Sequence, residues 1–307
     1  MTARGPLTVP TQKSKFFRVF GEDIAAREVR PGLYLVATPI GNLSDVTLRA
    51  LETLAAVEVI ACEDSRVTRR LLERYAIATP LLSYHDHNAE TVRPKILARL
   101  EASAAIALVS DAGTPLVSDP GFKLVQAAQA AGHAVTAVPG ASAVLTALTT
   151  SGLPTDRFFF EGFLPSRETA RRARIDELAN IPATVIFFET GPRIATMLSD
   201  LAARFNGRTA AVCRELTKLH EEIRRGDVAA LALAYQSGAE TRGEFVVVIG
   251  PPTKSEHLGA IDLDDIIKRT LSTASLKDAV AAVAAATGQK RRIVYQRALA
   301  LSRREGK

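Results

Sequence analysis

The chain has 307 residues, of which 47% are hydrophobic and 23% charged, and its formal net charge is +6. This composition excludes a largely disordered chain, because disordered segments carry too few apolar residues to form a core. The length predicts about two domains that fold without disulfides. The N-terminus has no apolar segment typical of a signal peptide, and no apolar run reaches the ~18 residues of a membrane span. We therefore expect a cytoplasmic protein.

The excess positive charge lies at the two ends of the chain. Residues 1–30 hold six basic and three acidic side chains, residues 251–307 hold eleven and six, and the remaining body holds 22 and 24. A basic appendage on a near-neutral body indicates a polyanion as partner, although solvated tails would give the same counts. The two cysteines, Cys62 and Cys213, end apolar runs and are predicted to be buried thiols, outside any metal site or disulfide.

In chain order, residues 1–30 lack a sustained hydrophobic period, which predicts a flexible N-terminal extension. Apolar runs then alternate with helical patterns over residues 31–152, and we assign this range to an N-terminal α/β domain. The predicted strands are 33–38, 57–62, 105–110 and 134–138, and the predicted helices are 45–54, 65–75, 90–102 and 121–131. Continuous apolar runs in this alternation are typical of βαβ units in a parallel sheet that is covered on both faces.

A second α/β domain is predicted for residues 153–250. Its strands are predicted at 157–161, 183–189, 208–213 and 243–249, and its helices at 167–179, 192–204 and 226–236. Residues 251–307 begin with a Pro-rich linker and continue as a helical module, with helices predicted at 262–272, 275–286 and 291–302. Within the module, Ser275 and Asp278 have the spacing of a capping box.

Three strands of the first domain are followed by loops of small residues. These loops read TPIGNL (38–43), SDAGTPLVSDPG (110–121) and PGASA (139–143). Because the carboxyl ends of parallel strands meet at one edge of a sheet, together they predict a nucleotide-like pocket, whereas any one alone could be a plain turn. Asp111 is suited to accept hydrogen bonds from a ribose or an amino group, and Asp119 is expected to cap the helix that starts near Gly121.

Further motifs complete a pattern with these loops. They are EDSR (63–66), HDHN (85–88), LPTDRFFFEGFLP (153–165), CRELTKLHEE (213–222) and GEFVVVIG (243–250). In order and spacing the whole set resembles the tetrapyrrole-methylase-like class III methyltransferases, and most closely the branch that modifies small-subunit ribosomal RNA. The resemblance covers residues 33–303. It implies two α/β domains of the tetrapyrrole methylase fold with the cofactor cleft between them, followed by a small C-terminal helical module.

The resemblance also implies an activity. Such an enzyme uses S-adenosylmethionine to methylate the ribose 2′-hydroxyl of one cytidine in the decoding region of 16S rRNA, works on free rRNA or the assembled 30S subunit, and is a homodimer. The cofactor residues it implies are Pro39, Ile40, Gly41, Asp111, Gly113, Thr114, Ser142, Ala143, Phe163, Gly243 and Glu244. Two alternatives stay open: a methyltransferase for a small molecule such as a tetrapyrrole, and a non-catalytic relative that only binds RNA or a nucleotide.

A ribose hydroxyl is a weak nucleophile at neutral pH, so a positioned base is expected. Asp64 is the favoured candidate, although it is equally suited to cap the following helix. Glu63, His85 and Lys218 are its rivals. No metal site is expected, since His85 and His87 have no further ligand at a suitable spacing.

Basic side chains predict where RNA phosphates bind. The candidates are Arg66 beside the EDSR acids, Arg171 and Arg172 on a basic helix that also carries Arg167 and Arg174, and Lys290, Arg291, Arg292 and Arg297 in the C-terminal module. Tyr295, Arg303 and Arg304 extend the last group. A solvated helix face would show the same pattern.

Overall fold

The structure is a computed structural model that describes residues 15–252, 263–287 and 289–305. The described chain forms two compact units. One holds the residues up to Thr146 together with Leu216–Leu219, and the other holds Ala147–Glu215 and the residues from His220 onward. Among the described helices, none combines the length and apolar character needed to cross a membrane.

A β-hairpin opens the first unit. Its strands β1 (Phe16–Val19) and β2 (Glu22–Ala25) pair antiparallel, and Phe17 is buried in the core of the unit. The Lys15 ammonium donates to the carbonyls of Ala56 and Val57 at 2.6 and 2.9 Å. The prediction of a flexible extension is therefore wrong for this segment, because strands of four residues are too short to show a period in the sequence. Residues 1–14 lie outside the described residues.

The first unit is built on a five-stranded sheet. Its strands are β3 (Gly32–Val36), β4 (Val59–Cys62), β5 (Leu81–Ser83), β6 (Ala105–Val109) and β7 (Val135–Val138). They lie in the order β5-β4-β6-β3-β7, and every neighbouring pair is parallel. The helices are α1 (Leu48–Ala56), α2 (Ser65–Arg74), α3 (Ala89–Glu101), α4 (Phe122–Ala130) and α5 (Ala143–Ser151), the last of which leads into the second unit. The parallel sheet is confirmed, and residues of the central strands β3, β4 and β6 are buried in two apolar clusters as predicted. The three-residue edge strand β5 was not predicted.

The second unit contains a mixed sheet. Its strands are β8 (Phe158–Phe163), β9 (Thr184–Thr190), β10 (Thr209–Arg214), β11 (Glu222–Asp227) and β12 (Glu244–Ile249), and its helices are α6 (Glu168–Leu178), α7 (Gly191–Arg204) and α8 (Val228–Gln236). The strand order is β11-β10-β12-β9-β8, with only β8 and β9 parallel. Strand β11 was not predicted, because its sequence EIRRGD contains one large apolar residue and it lies at the sheet edge. Cys62 and Cys213 are buried free thiols, and burial raises the pKa of Cys213 to about 11.

The described part of the C-terminal module contains three helices: α9 (Leu263–Leu271), α10 (Leu276–Thr287) and α11 (Arg291–Glu305). Ile267, Val283 and Val294, one from each helix, are at most 1% exposed and form the centre of a shared apolar cluster. The predicted cap of Ser275 is confirmed, because its hydroxyl accepts the Asp278 N–H at 3.3 Å. The Asp278 carboxylate accepts the same hydroxyl at 2.6 Å, where a capping box has it accept the backbone N–H of the cap residue.

Candidate active site

The loops that follow the strands of the first sheet are hydrogen-bonded to one another. The Thr38 N–H donates to the Gly113 carbonyl at 2.9 Å, and the Gly113 N–H donates back to the Thr38 carbonyl at 3.0 Å. The Thr114 hydroxyl donates to the Ala141 carbonyl at 3.3 Å. The three loops predicted to hold the cofactor therefore form one continuous surface at the carboxyl edge of the sheet.

Small residues allow these loops to approach so closely. Gly113 has a φ of +79°, and a Cβ placed on it would lie 3.3 Å from Ile40 Cγ2. A Cβ on Gly140 would lie 3.0 Å from the Ala37 Cβ. An added Cβ at either glycine would be in tighter than ordinary van der Waals contact, and at Gly113 it would also strain the backbone. The close approach of the loops therefore depends on glycine at these two positions.

The EDSR motif adds carboxylates to the same edge. The Asp64 N–H donates to Asp111 Oδ1 at 2.9 Å, which attaches this loop to the Ser110–Gly121 loop. Glu63 follows β4 and is half-buried, and its carboxyl group has no hydrogen-bond or ion-pair partner within the described residues. Burial raises the pKa of Glu63, and the carboxylates of Asp111, Asp119, Asp86 and Asp64 raise it further. Glu63 is thus an unpaired carboxyl group whose proton affinity is above the ordinary range.

Asp64 is engaged by its own helix. It is the N-cap of α2, where its Oδ1 accepts the Arg66 N–H at 2.8 Å. The Arg66 guanidinium donates to Oδ1 at 3.0 Å and to Oδ2 at 2.6 Å, and these bonds lower the pKa of Asp64 to about 2. The capping interpretation is confirmed, and such an acidic carboxyl group is a weaker proton acceptor than Glu63. Arg66, predicted to bind RNA, is 87% exposed and paired with this carboxylate.

The capping role predicted for Asp119 is wrong. Gly121 occupies the N-cap position of α4 with a φ of +128° and offers no side chain to cap the helix. A Cβ on Gly121 would lie 2.8 Å from Leu108 Cδ2, so a residue with a capping side chain does not fit there without movement of Leu108. Asp119 is instead partly buried near Glu63, and burial raises its pKa.

The HDHN motif closes the turn between β5 and α3. The His85 N–H donates to Asn88 Oδ1 at 2.9 Å, and the rings of His85 and His87 meet edge to face with centroids 5.9 Å apart. His85 Nδ1 is buried, with no hydrogen-bond partner among the described residues. Within those same residues, no three His, Cys, Asp or Glu side chains are grouped so as to hold a metal ion.

Lys218 reaches the site through a segment distant in sequence. Leu216–Leu219, between β10 and β11, belongs to the first unit. The Thr217 hydroxyl accepts the Asn42 N–H at 3.1 Å. A Cβ on Gly41 would lie 2.5 Å from Lys218 Cγ. The structure therefore brings Lys218 to the first predicted cofactor loop, which nothing in the spacing of the sequence indicates.

In the second unit, the predicted cofactor residues gather at one edge of the sheet. Phe163 ends β8 beside the end of its parallel neighbour β9, and β12 begins at Glu244, opposite Thr190 at the end of β9. The Glu244 N–H donates to Glu215 Oε1 at 2.9 Å. Gly243 has a φ of +111°, and a Cβ on it would lie 2.6 Å from the same oxygen. Glycine is therefore required where the Glu215 side chain covers the backbone.

Sequence reasoning missed a buried ion pair at this edge. Glu189 is 1% exposed, and its Oε1 accepts the Thr190 N–H at 2.8 Å. The Arg193 guanidinium lies 3.2 Å from Glu189 Oε2 and donates to the Leu164 carbonyl at 2.8 Å. The pair fixes the backbone directly after Phe163. The only signal in the sequence is a glutamate that ends a strongly apolar run four residues before an arginine.

Comparisons with known proteins decide the family. Residues 32–232 match the family model described as Tetrapyrrole (Corrin/Porphyrin) Methylases, and residues 258–302 match the RsmI C-terminal HTH domain. The chain is 47% identical to ribosomal RNA small subunit methyltransferase I of Mesorhizobium japonicum over 92% of this chain and 97% of the relative. It is 52% identical to the protein of that name from Xylella fastidiosa (strain Temecula1) over 71% and 81%. The chain belongs to the ribosomal RNA small subunit methyltransferase I family.

A solved structure supports the fold of this family. A uroporphyrin-III C-methyltransferase from Thermus thermophilus, complexed with S-adenosylhomocysteine, aligns with a TM-score of 0.52 at 19% identity, over 71% of this chain and 97% of that one. The tetrapyrrole methylase fold is thus confirmed, with two α/β sheets and a C-terminal helical region. As a member of the small subunit methyltransferase I family, the chain uses S-adenosylmethionine.

The residues at the first sheet edge fit this cofactor. The loops present small side chains and backbone groups, as a close-fitting nucleoside requires. Asp111 accepts the Asp64 N–H with Oδ1, and its Oδ2 has no partner in the described part of the chain. The carboxylates around Glu63 complement a ligand that carries a sulfonium and an ammonium charge. In this family member, Pro39–Gly41, Asp111–Thr114 and Ser142–Ala143 would hold the cofactor in the first unit.

Arg171 is buried, although we predicted that it binds RNA. Its side chain is 7% exposed, and its guanidinium donates to Asp200 Oδ2 and to the Ser166 carbonyl at 2.8 and 3.1 Å. The prediction is wrong because α6 turns this position toward α7. Arg172 is 63% exposed and shares Asp200 while pairing with Glu168. These residues line a groove of about 360 Å³ in which the charges of Arg171 and Arg172 are balanced by those of Glu168 and Asp200.

Replacing Arg171 by methionine is expected to lower the free energy of unfolding of the protein by about 3–5 kcal/mol, because the change leaves Asp200 buried with fewer hydrogen-bond and ion-pair partners. Arg172→Met at the exposed neighbour is expected to change it by less than ~1 kcal/mol. Urea denaturation followed by circular dichroism measures both. Equal effects of the two substitutions would contradict the assignment of Arg171 as the buried partner.

The C-terminal module carries the remaining RNA candidates. Lys290, Arg291 and Arg292 are exposed at the start of α11, and none has an ion-pair partner among the described residues. Tyr295 is 47% exposed one turn later. Arg297 is 59% exposed and bound to the Asp264 carboxylate at 2.6 Å. The side chains of Arg303 and Arg304 lie outside the described residues.

Proposed function

We propose that this chain transfers a methyl group from S-adenosylmethionine to the 2′-hydroxyl of one cytidine in the decoding region of 16S rRNA. The observation that carries the proposal is the first sheet edge, where the cofactor loops are hydrogen-bonded into one surface. Beside it lies the carboxyl group of Glu63, which has no partner among the residues that the structure describes. The names of relatives 47–52% identical to the chain support small-subunit rRNA as the substrate.

The proposed chemistry needs little beyond positioning and proton removal. The bound cofactor supplies a methyl group on a sulfonium, which is already a good leaving group. Orientation of the two reactants contributes up to about 7–11 kcal/mol to lowering the barrier. The chain must therefore hold the cofactor loops rigid, and the hydrogen bonds between Thr38 and Gly113 and between Thr114 and Ala141 provide this rigidity.

Glu63 is the proposed proton acceptor for the ribose hydroxyl. Its burial and the surrounding carboxylates raise its pKa, whereas the pKa of Asp64 is lowered to about 2. Glu63 is therefore the stronger proton acceptor of the two. Asp64 positions α2 and the Arg66 guanidinium instead. His85 and Lys218 stay rival candidates, His85 through its buried Nδ1 and Lys218 through its position against Gly41.

Methyl transfer from radiolabelled S-adenosylmethionine tests the proposal. The acceptors are 30S subunits from cells that lack this gene, the naked 16S rRNA extracted from them, and a porphyrinoid. We expect label in RNA at one cytidine, with the adjacent phosphodiester resistant to alkali because its 2′-oxygen is blocked. Label on a base, or on the porphyrinoid alone, would contradict the proposal.

The same proposal includes the assembly and location of the enzyme. We infer a homodimer from the family resemblance, and a cytoplasmic location from the proposed rRNA substrate. Light scattering coupled to size-exclusion chromatography measures the mass in solution, where the dimer is expected at twice the 32.9 kDa of the chain. A monomer at micromolar concentration would contradict the dimer without affecting the proposed chemistry.

A further inference from the structure

A short segment lies against the first cofactor loop and has an unusual backbone. Leu216–Leu219 is in the first unit, and Leu216 is buried there. Thr217 has a φ of +66°, and Glu215 just before the segment has a φ of +52°. The left-handed region is uncommon for residues other than glycine, and it is a clear outlier for a β-branched residue such as threonine. Such backbones persist only where the surroundings hold them, and they cluster at functional sites.

The contacts of the segment explain what holds this backbone. The Thr217 hydroxyl accepts the Asn42 N–H at 3.1 Å, and so fixes the end of the Pro39–Gly41 loop. Gly41 is packed so tightly that an added Cβ would lie 2.5 Å from Lys218 Cγ, 2.7 Å from Thr217 Oγ1 and 3.0 Å from the Leu216 carbonyl oxygen. Three consecutive residues of the segment therefore close around one glycine of the cofactor loop.

The other side of this loop is held by the sheet-edge surface. Thr38, just before the loop, exchanges two backbone hydrogen bonds with Gly113, and Ile40 Cγ2 would lie 3.3 Å from a Cβ on Gly113. The loop is thus fixed between the Ser110–Gly121 loop and the Leu216–Leu219 segment. The Thr38 hydroxyl also donates to the Ser110 carbonyl at 3.3 Å, so the first contact combines backbone and side-chain bonds. The hydrogen bond of the second contact depends on one side-chain oxygen, that of Thr217, and a single substitution can remove it.

We propose that Leu216–Leu219 is a clamp on the first cofactor loop, and that Thr217 is a positioning residue for S-adenosylmethionine binding. This inference rests on the assignment of Pro39–Gly41 as a cofactor loop. The Thr217 hydroxyl acts through Asn42 and has no part in methyl transfer. Its loss lets the Pro39–Gly41 backbone sample other conformations, so the cofactor binds to a smaller fraction of the protein.

Calorimetric titration with S-adenosylhomocysteine tests the clamp without any turnover. Thr217→Val keeps the β-branched shape and the backbone strain but removes the acceptor oxygen, and we expect it to raise the dissociation constant about fivefold, the typical effect of one hydrogen bond. Thr217→Ser keeps the oxygen and is expected to stay within about twofold of the native value. In steady-state assays, Thr217→Val should raise the KM for S-adenosylmethionine and leave the KM for RNA unchanged.

A second pair of variants tests the clamp by adding a methyl group at a glycine instead of removing the Thr217 hydroxyl. Gly41→Ala introduces the Cβ that collides with the clamp, and it is expected to weaken S-adenosylhomocysteine binding at least as much as Thr217→Val. Gly226→Ala is the matched control, since its Cβ would have no neighbour closer than 3.9 Å. Circular dichroism melting of each variant without ligand verifies that it is folded.

Asp111→Ala separates failure of the clamp from failure of the cofactor assignment. If it weakens S-adenosylhomocysteine binding and Thr217→Val does not, the clamp is overturned and the cofactor loops stand. If neither changes the dissociation constant, both are overturned. Equal weakening by Thr217→Val and Thr217→Ser would also overturn the clamp, because the hydroxyl would then have no role.

Discussion

Replacing Glu63 by glutamine is expected to lower the single-turnover rate constant of methyl transfer by about 10²–10⁴-fold, the range that a positioned general base contributes. Glutamine keeps the size of the side chain and removes its ability to accept the proton of the ribose hydroxyl. Because the Glu63 carboxyl group makes no hydrogen bond or ion pair with the described residues, the substitution breaks no structural contact there. Rapid-quench assays at saturating RNA and cofactor measure the rate constant, and calorimetry with S-adenosylhomocysteine verifies that the cofactor still binds.

Asp64→Asn is the matched control, since it makes the same chemical change at the adjacent carboxyl group. Asparagine caps helices about as well as aspartate, so α2 should keep its N-cap. The ion pair with the exposed Arg66 is lost, and a rate decrease of less than about tenfold is expected. The opposite order, with the larger loss in Asp64→Asn, would show that Asp64 is the base and Glu63 is not.

The pH dependence gives an independent test of the same assignment. A base must be deprotonated to act, so the rate constant should rise with pH through the pKa of Glu63, which lies above the ordinary range for a carboxyl group. Asp64, with a pKa of about 2, would be ionised throughout that interval and would give no such rise. A profile that is flat in the native enzyme would contradict Glu63 as the base.

The free energy of unfolding should also depend on the pKa of Glu63, but it should fall as the pH rises through this pKa, whereas the rate constant rises. The folded protein binds the Glu63 proton more tightly than the unfolded chain does, so the contribution of this group to stability is present at low pH. It is lost as the pH rises through the raised pKa. Glu63→Gln removes this loss and should not destabilise the protein at neutral pH, which separates a rate effect from unfolding.

The sequence was sufficient to predict four of the five strands of the first sheet and the edge that carries the site, but not β5, which has three residues. Continuous apolar runs such as LYLV and AIALV have few other solutions than strands buried on both faces, and in a parallel sheet their carboxyl ends meet. The small-residue loops at 38–43, 110–121 and 139–143 therefore had to converge, and the backbone bonds between Thr38 and Gly113 confirm it.

What sequence reasoning missed depends on contacts between distant residues. The β1–β2 hairpin is stable because Phe17 packs into a core formed by later helices and strands. Arg171 was misassigned because a run of arginines does not reveal which of them faces a buried carboxylate 29 residues away. The contact between Thr217 and Asn42 spans 175 residues and has no local signature. Glu63 and Asp64 are adjacent letters with opposite pKa shifts, and only their surroundings separate them.

Replacing the basic residues at the start of α11 is expected to have a large effect on the salt dependence of RNA binding. Lys290, Arg291 and Arg292 are exposed, while Val294 and Ala298 of the same helix are buried in the core of the module. Replacing the three basic residues by alanine should therefore leave the fold intact and remove about three phosphate contacts. Each contact contributes about 0.7–0.9 to the slope of log affinity against log salt. We expect the slope for 16S rRNA binding to decrease in magnitude by about 2–3, with S-adenosylhomocysteine affinity unchanged.

A second triple variant controls for the change in net charge. Lys95, Arg99 and Lys123 are exposed on α3 and α4, and replacing all three by alanine removes the same three positive charges from another surface. Filter binding over a range of salt concentrations gives both slopes. If the two variants reduced the slope equally, RNA would be responding to the net charge of the protein, and the basic helix would be a solvated face. A decrease confined to the α11 variant would place the phosphate contacts on the C-terminal module, whose charge excess is the largest of any part of the chain.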